Sequence, residues 1–173
     1  LKLLFVILFV ASNLIILPFY YRSEKQDIKG LVTYLKLNLQ EGDKIFCSNI
    51  GHMPVMLHYF GTYPQQRLYG ISFLKVPGEE IQYRHSFTYR NKIFTIYHSK
   101  ICCNQYIADG NRLWVVVEKN NAKKLRQNTP FLLKGYFDGS FLNFNRFPYD
   151  ASIYLFLWDP KSTEEKGIDI PIE

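Results

Sequence analysis

The sequence predicts an α/β protein in which one N-terminal transmembrane helix precedes a layered α/β domain with a mainly parallel sheet and a C-terminal antiparallel hairpin. Three observations predict it. The run from Leu3 to Tyr21 is apolar and uncharged. From Asp27 onward, stretches with helical hydrophobic spacing alternate with short β-prone runs, the pattern of helices packed on a sheet. Near the end, two strand-like runs are joined by Pro148-Tyr149-Asp150. The implied division is a transmembrane helix over 1–21, an extracytoplasmic α/β domain over 22–159 and a polar tail over 160–173. The chain begins with Leu1 rather than methionine. The expectation is therefore a carboxy-terminal piece of a larger protein, with 1–21 as its last helix.

At about 1.5 Å per residue, the nineteen uncharged residues from Leu3 to Tyr21 nearly match a hydrocarbon core of about 30 Å. Lys2 flanks one end, and Phe19, Tyr20, Tyr21 and Arg22 give the other an aromatic and basic border. A cleaved leader ending near Ala11-Ser12 is the rival reading, but Leu14 to Tyr21 would continue the apolar run past such a cut. Asn13 is costly in lipid unless it meets another helix, which hints at further segments upstream.

Asp27 is placed to cap a helix that carries Ile28, Leu31, Val32, Leu35 and Leu39 on one face. Glu41-Gly42-Asp43 turns the chain into a buried strand over 44–48, and Met53 to Phe60 forms a helix closed by Gly61. Arg67 to Ile71 is expected to be a second strand, followed by a loop marked by Pro77 and Gly78 and weak structure up to Arg90. Phe94, Tyr97, Ile101 and Cys102 suggest a helix over 91–106 that ends before Asp109-Gly110. Leu113 to Val117 is a continuous β-prone run, the mark of a strand covered on both faces and the expected central strand. A helix over 121–133, limited by Pro130, precedes the hairpin of 139–147 and 152–158.

A net charge of +6 is spread along the domain without a run or a helical stripe, which argues against nucleic acid as a partner. With an anchor present, lipid headgroups or lipid-linked phosphate suit such a charge better. Cys47, Cys102 and Cys103 show no metal-ligand spacing. Buried free thiols are the plainer reading, and at most one of the adjacent pair could reach Cys47 in an oxidising compartment.

No phosphate loop, dinucleotide fingerprint, nucleophile elbow or zinc-protease motif is present. His52 and His58 are six apart and cannot ligate one metal from a helix face, and His85 and His98 stand alone. The sequence thus offers no metal site, no bound cofactor and no catalytic residue. Asp109-Gly110 fits turn chemistry, and nothing pairs Asp43, Asp109 and Asp150. The most site-like stretch is Tyr83, Arg84, His85, Tyr89 and Arg90, whose cations and rings suit a sugar or a phosphate. An ordinary surface loop is the plainer reading of it.

Three groups of residues follow the outgoing helix in a recognisable order: Asp27-Ile28-Lys29-Gly30 with Tyr34-Leu35, then Glu41-Gly42-Asp43-Lys44-Ile45, then Arg112-Leu113-Trp114-Val115-Val116. This order resembles the carboxy-terminal end of polytopic glycosyltransferases of the dolichyl-phosphate-mannose-protein mannosyltransferase and aminoarabinose transferase superfamily, over most of Ser23 to Trp158. Ile28 stands where that family usually has Trp, Glu41 where Pro is common, and 71–91 matches no part of the pattern. The resemblance implies a multi-pass protein of the cell membrane that transfers a sugar, with inversion, from a polyprenyl-phosphate donor on the outer face. The catalytic acidic residues of that family lie in an external loop upstream of Leu1, so no position here inherits a catalytic role. The lipid-phosphate-linked donor, and any divalent metal, would belong to that missing membrane region. The present domain would be accessory or acceptor-recognising. The competing expectation is a singly anchored extracytoplasmic module that binds a glycan, lipid or protein partner. A soluble enzyme built on Asp109 or the histidines has the least support.

Overall fold

The computed structural model describes residues 2–22, 26–62, 72–74, 82–98, 110–127, 131–139, 151–162 and 167–172. Helix α1 runs Lys2–Arg22 and α2 Ile28–Asn38. Strand β1 (Lys44–Cys47) leads into α3 (His52–Phe60). Strands β2 (Ser72–Leu74), β3 (Gln82–Tyr89), β4 (Lys92–His98) and β5 (Leu113–Glu118) follow. Helix α4 (Lys119–Gln127) and strands β6 (Leu132–Phe137) and β7 (Ile153–Trp158) complete the domain.

The seven strands form one sheet in the order β2-β3-β4-β1-β5-β7-β6. Only β4, β1 and β5 are mutually parallel, and the other four pairings are antiparallel. The sheet is therefore mixed, not mainly parallel as the sequence suggested. The physical reason is that antiparallel pairing supplies both flanks, while parallel crossover pairing supplies only the centre.

Alternation across the pleat divides the core cleanly. Ile45, Cys47, Trp114, Val116, Leu155 and Leu157 face α2 and α3. Phe46, Leu113, Val115, Val117, Tyr154 and Phe156 face α4, Phe131 and the chain end. Strand β5 is buried on both faces, as its apolar run requires. In α2, Asp27 accepts a hydrogen bond from Gly30 N at 2.7 Å, and Ile28, Leu31, Val32 and Leu35 are buried at helical spacing. Lys36 Nζ joins α2 to α3 by donating to Tyr59 O at 2.7 Å. Within the polar tail, Ile168 N donates to Leu133 O at 2.7 Å, and Ile170 and Ile172 pack against the core cluster on the α4 side of the sheet.

Several expectations need correction. No helix among the described residues is long and apolar enough to cross a membrane, so the transmembrane helix over 1–21 is not borne out. The apolar side chains of Leu3–Val10, Leu14 and Ile15 on α1 are exposed. Asn13 Nδ2 donates to Phe9 O at 2.8 Å, so its amide needs no second helix to satisfy it. Residues 82–98 are not a loop and the start of a helix but the hairpin β3-β4, closed by a two-residue turn at Arg90 (φ 49°) and Asn91 (φ 60°). Positive φ at both positions is the primed turn that matches strand twist. The buried residues Phe94, Ile96 and His98 alternate, and the apparent helical spacing of Phe94 and Tyr97 does not describe the segment. Helix α4 ends at Gln127, and Leu132 and Leu133 belong to β6. The partners of β7 are β5 and β6. The expected hairpin arm over 140–147 and strand over 67–71 lie outside the described residues, as do Cys102, Cys103, Asp109 and Asp150.

Candidate functional site

In an open sheet, the carboxyl ends of parallel strands flanking a crossover form a natural crevice, because the connections leave there in different directions. Here β1 ends at Cys47, β4 at His98 and β5 at Glu118, and α3 begins at His52. A polar cluster occupies that end.

Its accessible carboxylate is Glu118, whose side chain is 41% exposed. Asn49 Nδ2 donates to Glu118 Oε1 at 2.7 Å, and Asn49 Oδ1 accepts from Gly51 N at 2.9 Å. The same amide thus shapes the turn into α3 and orients the carboxylate. Behind it, His52 is only 3% exposed, with Nε2 3.9 Å from Glu118 Oε1. Burial pushes the pKa of His52 down, the Glu118 carboxylate opposes that shift, and His98 adds to it. His52 is therefore neutral at physiological pH. His98, buried beside it at the end of β4, donates from Nδ1 to Cys47 O at 2.8 Å.

Two polar atoms of this end are buried without a hydrogen-bond partner, Ser48 Oγ and His52 Nδ1. Leaving such groups unpaired costs about 1–3 kcal/mol each, so they mark a place where stability is not the governing constraint. Helix α3 also starts without a side-chain cap, since Gly51 occupies that position. The Cys47 thiol is unsuited to nucleophilic work: it is fully buried, its pKa is pushed up by burial, and Sγ lies 3.6 Å from Met56 Sδ. What remains is an oriented carboxylate backed by a neutral imidazole, an arrangement that accepts hydrogen bonds from ligand hydroxyl groups.

The apolar helix leaves the domain at this same end. Gln26 Nε2 donates to Ala151 O at 3.0 Å, and Asp27 N donates to Asp138 O at 3.0 Å. Ala151 lies two residues before Ile153, which pairs with Glu118. Arg22, the last residue of α1, is four residues from Gln26. At 3.8 Å per Cα step it lies within about 15 Å of Gln26.

The stretch singled out from the sequence does not form one site. Tyr83 is placed opposite His98, at the carboxyl end, whereas Tyr89 is six positions along β3, about 20 Å away. The Tyr89 ring packs on Phe60 (5.7 Å between centroids) and Phe94 (6.5 Å), so it serves the core. Arg90 Cζ lies 5.3 Å from the Tyr89 ring centroid at the turn. Arg84 is exposed, and His85 is half-buried with Nδ1 unpartnered. Ser48, Asn49 and Glu118 carried no signal of their own in the sequence. The clue was positional: each sits at the end of a strand that the sequence did identify. Among the described residues, no three His, Cys, Asp or Glu side chains come together as metal ligands.

Two of the three groups that carry the family resemblance, Glu41-Gly42-Asp43 and Arg112-Leu113-Trp114, meet at the opposite end of the sheet. Asp43, 4% exposed, accepts from Trp114 Nε1 at 2.8 Å and from Gln40 N at 2.9 Å. Arg112 Nε lies 3.3 Å from Asp159 Oδ2 and 3.7 Å from Asp43 Oδ1. The turn before β1 and the start of β5 are thus tied together by one carboxylate. Comparison of the chain with family models, with curated proteins and with solved structures finds no match.

Proposed function

We propose that this chain is the carboxy-terminal extracytoplasmic part of a membrane glycosyltransferase that uses a polyprenyl-phosphate sugar donor, with an accessory, acceptor-recognising role and no catalytic residue of its own. The single observation that carries the reading is the position of the Asn49-His52-Glu118 cluster at the end of the sheet from which α1 departs. In this reading the lipid-linked donor and its acceptor meet at that end of the domain, beside the exposed apolar side chains of α1. An oriented Glu118 carboxylate suits an acceptor hydroxyl and opposes a second phosphate. The resemblance of Asp27-Ile28-Lys29-Gly30, Glu41-Gly42-Asp43 and Arg112-Leu113-Trp114 to the glycosyltransferase superfamily supports the same conclusion.

The test is to determine the reading frame upstream of Leu1 and the mass of the native protein in membranes. Several further hydrophobic segments, with an acidic residue in the first external loop, are the expected result. A native protein that starts at or just before Leu1 would overturn the reading in favour of a singly attached module that binds a glycan, lipid or protein.

A further inference from the structure

At the end of the sheet away from α1, the turns 40–43, 110–112 and 159–161 surround a pocket of about 210 Å³. Its floor is the Asp43-Arg112-Asp159 trio, with Arg112 Cζ 5.4 Å from the Trp114 ring centroid. The guanidinium side chain is 13% exposed, yet Nη1, like Nε, has no hydrogen-bond partner. A structural ion pair that only held the sheet end together would satisfy that donor, because an unpaired group on a buried charge is expensive. Gly42 (φ 86°) and Gly110 (φ 68°) stand at the mouth, where the backbone conformation excludes most side chains and leaves it open.

The lining selects among ligand classes. Glu41, Asp43 and Asp159 against Arg112 and Lys161 leave the lining net negative, which disfavours phosphate and carboxylate ligands. An amine would be attracted by that charge but has no acceptor to offer Arg112 Nη1. An apolar group would strand the polar floor. A hydroxyl group meets both demands: its oxygen accepts from the guanidinium, and its hydrogen is donated to a carboxylate. We infer that this pocket binds a neutral, hydroxyl-rich ligand, a single sugar unit, between Arg112 and Asp159, through a small rotation of the guanidinium that turns Nη1 toward the cavity. The inference stands on the pocket alone and survives if the glycosyltransferase reading fails.

The experiment uses the full chain in detergent micelles, with the backbone amide resonances of Gly42, Gly110 and Asn111 as reporters. The probes are D-mannose, D-galactose, spermidine and inorganic phosphate, titrated separately. The expected result is saturable shifts of those three resonances with at least one sugar and with neither ion. Asn111→Leu, at an exposed rim position that leaves the ion trio intact, should weaken sugar binding at least tenfold with an unchanged far-UV spectrum. Arg112→Lys should abolish it, but that variant also disturbs the floor, so Asn111→Leu is the deciding one. The inference is overturned if neither sugar shifts the reporters, if only spermidine or phosphate does, or if Asn111→Leu binds sugar as the native chain does.

Discussion

The two ends of the sheet arrange their carboxylates differently, although each leaves two polar atoms buried without a partner, Arg112 Nε and Nη1 at the amino end and Ser48 Oγ and His52 Nδ1 at the carboxyl end. At the amino end of β1 and β5, Asp43 spends its carboxylate on Trp114 Nε1 and Gln40 N and joins two turns of the chain. At the carboxyl end, Ser48 Oγ and His52 Nδ1 are buried without partners, α3 lacks a side-chain cap, and the accessible carboxylate is held by an exposed amide. The first pattern is what a fold needs to set the register of β1 against β5. The second leaves polar groups unsatisfied at the end for which acceptor recognition is proposed. At the amino end the two unpartnered nitrogens of Arg112 lie at the floor of the pocket, beside the carboxylates that tie the turns together.

Mutation should separate the two ends, and the largest effect belongs to the amino end. Asp43→Ala removes the acceptor of Trp114 and leaves Arg112 with Asp159 alone, and should cost about 3–5 kcal/mol in denaturant unfolding. Asp43→Asn keeps an acceptor for the indole and should cost clearly less. A loss from Asp43→Ala below about 1 kcal/mol would remove the contrast between the ends. At the carboxyl end, Asp27→Ala deletes the cap of α2 and should cost about 1 kcal/mol. His52→Leu exchanges an imidazole whose Nδ1 is buried without a partner for an apolar group of similar size, and should be neutral to within about 1 kcal/mol at pH 7.

The two ends should also titrate in opposite senses. His52 has a folded pKa below its unfolded value of 6.5, mainly because burial disfavours its charge. The unfolded chain therefore takes up the proton first, and stability from His52, present above pH 6.5, falls as the pH drops below it. Asp43 has a folded pKa above 3.8, with burial outweighing its hydrogen bonds and Arg112. Its contribution is largest below pH 3.8 and declines as the pH rises through the folded value. In unfolding curves measured across pH, His52→Leu should flatten the loss below pH 6.5, and Asp43→Asn should remove the opposite slope above pH 3.8. Identical pH profiles for the native chain and both variants would contradict these assignments.

How much of this was legible in the sequence follows from the range of the interactions involved. Helix α2 was legible because Ile28, Leu31, Val32 and Leu35 repeat at the helical period and Asp27 caps them locally. Strand β5 was legible because both its faces are covered, so its composition needs no partner to interpret. The hairpin β3-β4 was not, because Arg90-Asn91 is an unusual pair for a primed turn and Phe94, Tyr97 and Ile101 mimic helical spacing. Mixed pairing at the flanks depends on which strands meet, which no local pattern encodes. The candidate site was legible only in outline. His52, His98 and Glu118 are distant in sequence, and only the strand order brings β1, β4 and β5 side by side.

The central claim is that the Glu118 end of the sheet recognises the acceptor without taking part in catalysis. Sugar transfer from a polyprenyl-phosphate donor by the full-length protein in membranes, compared between the native sequence and Glu118→Gln, tests it most directly. The account predicts an acceptor KM raised about tenfold or more with kcat unchanged within about twofold, the signature of lost ground-state binding. An unchanged KM would contradict the site, and a collapse of kcat at unchanged KM would contradict its non-catalytic role.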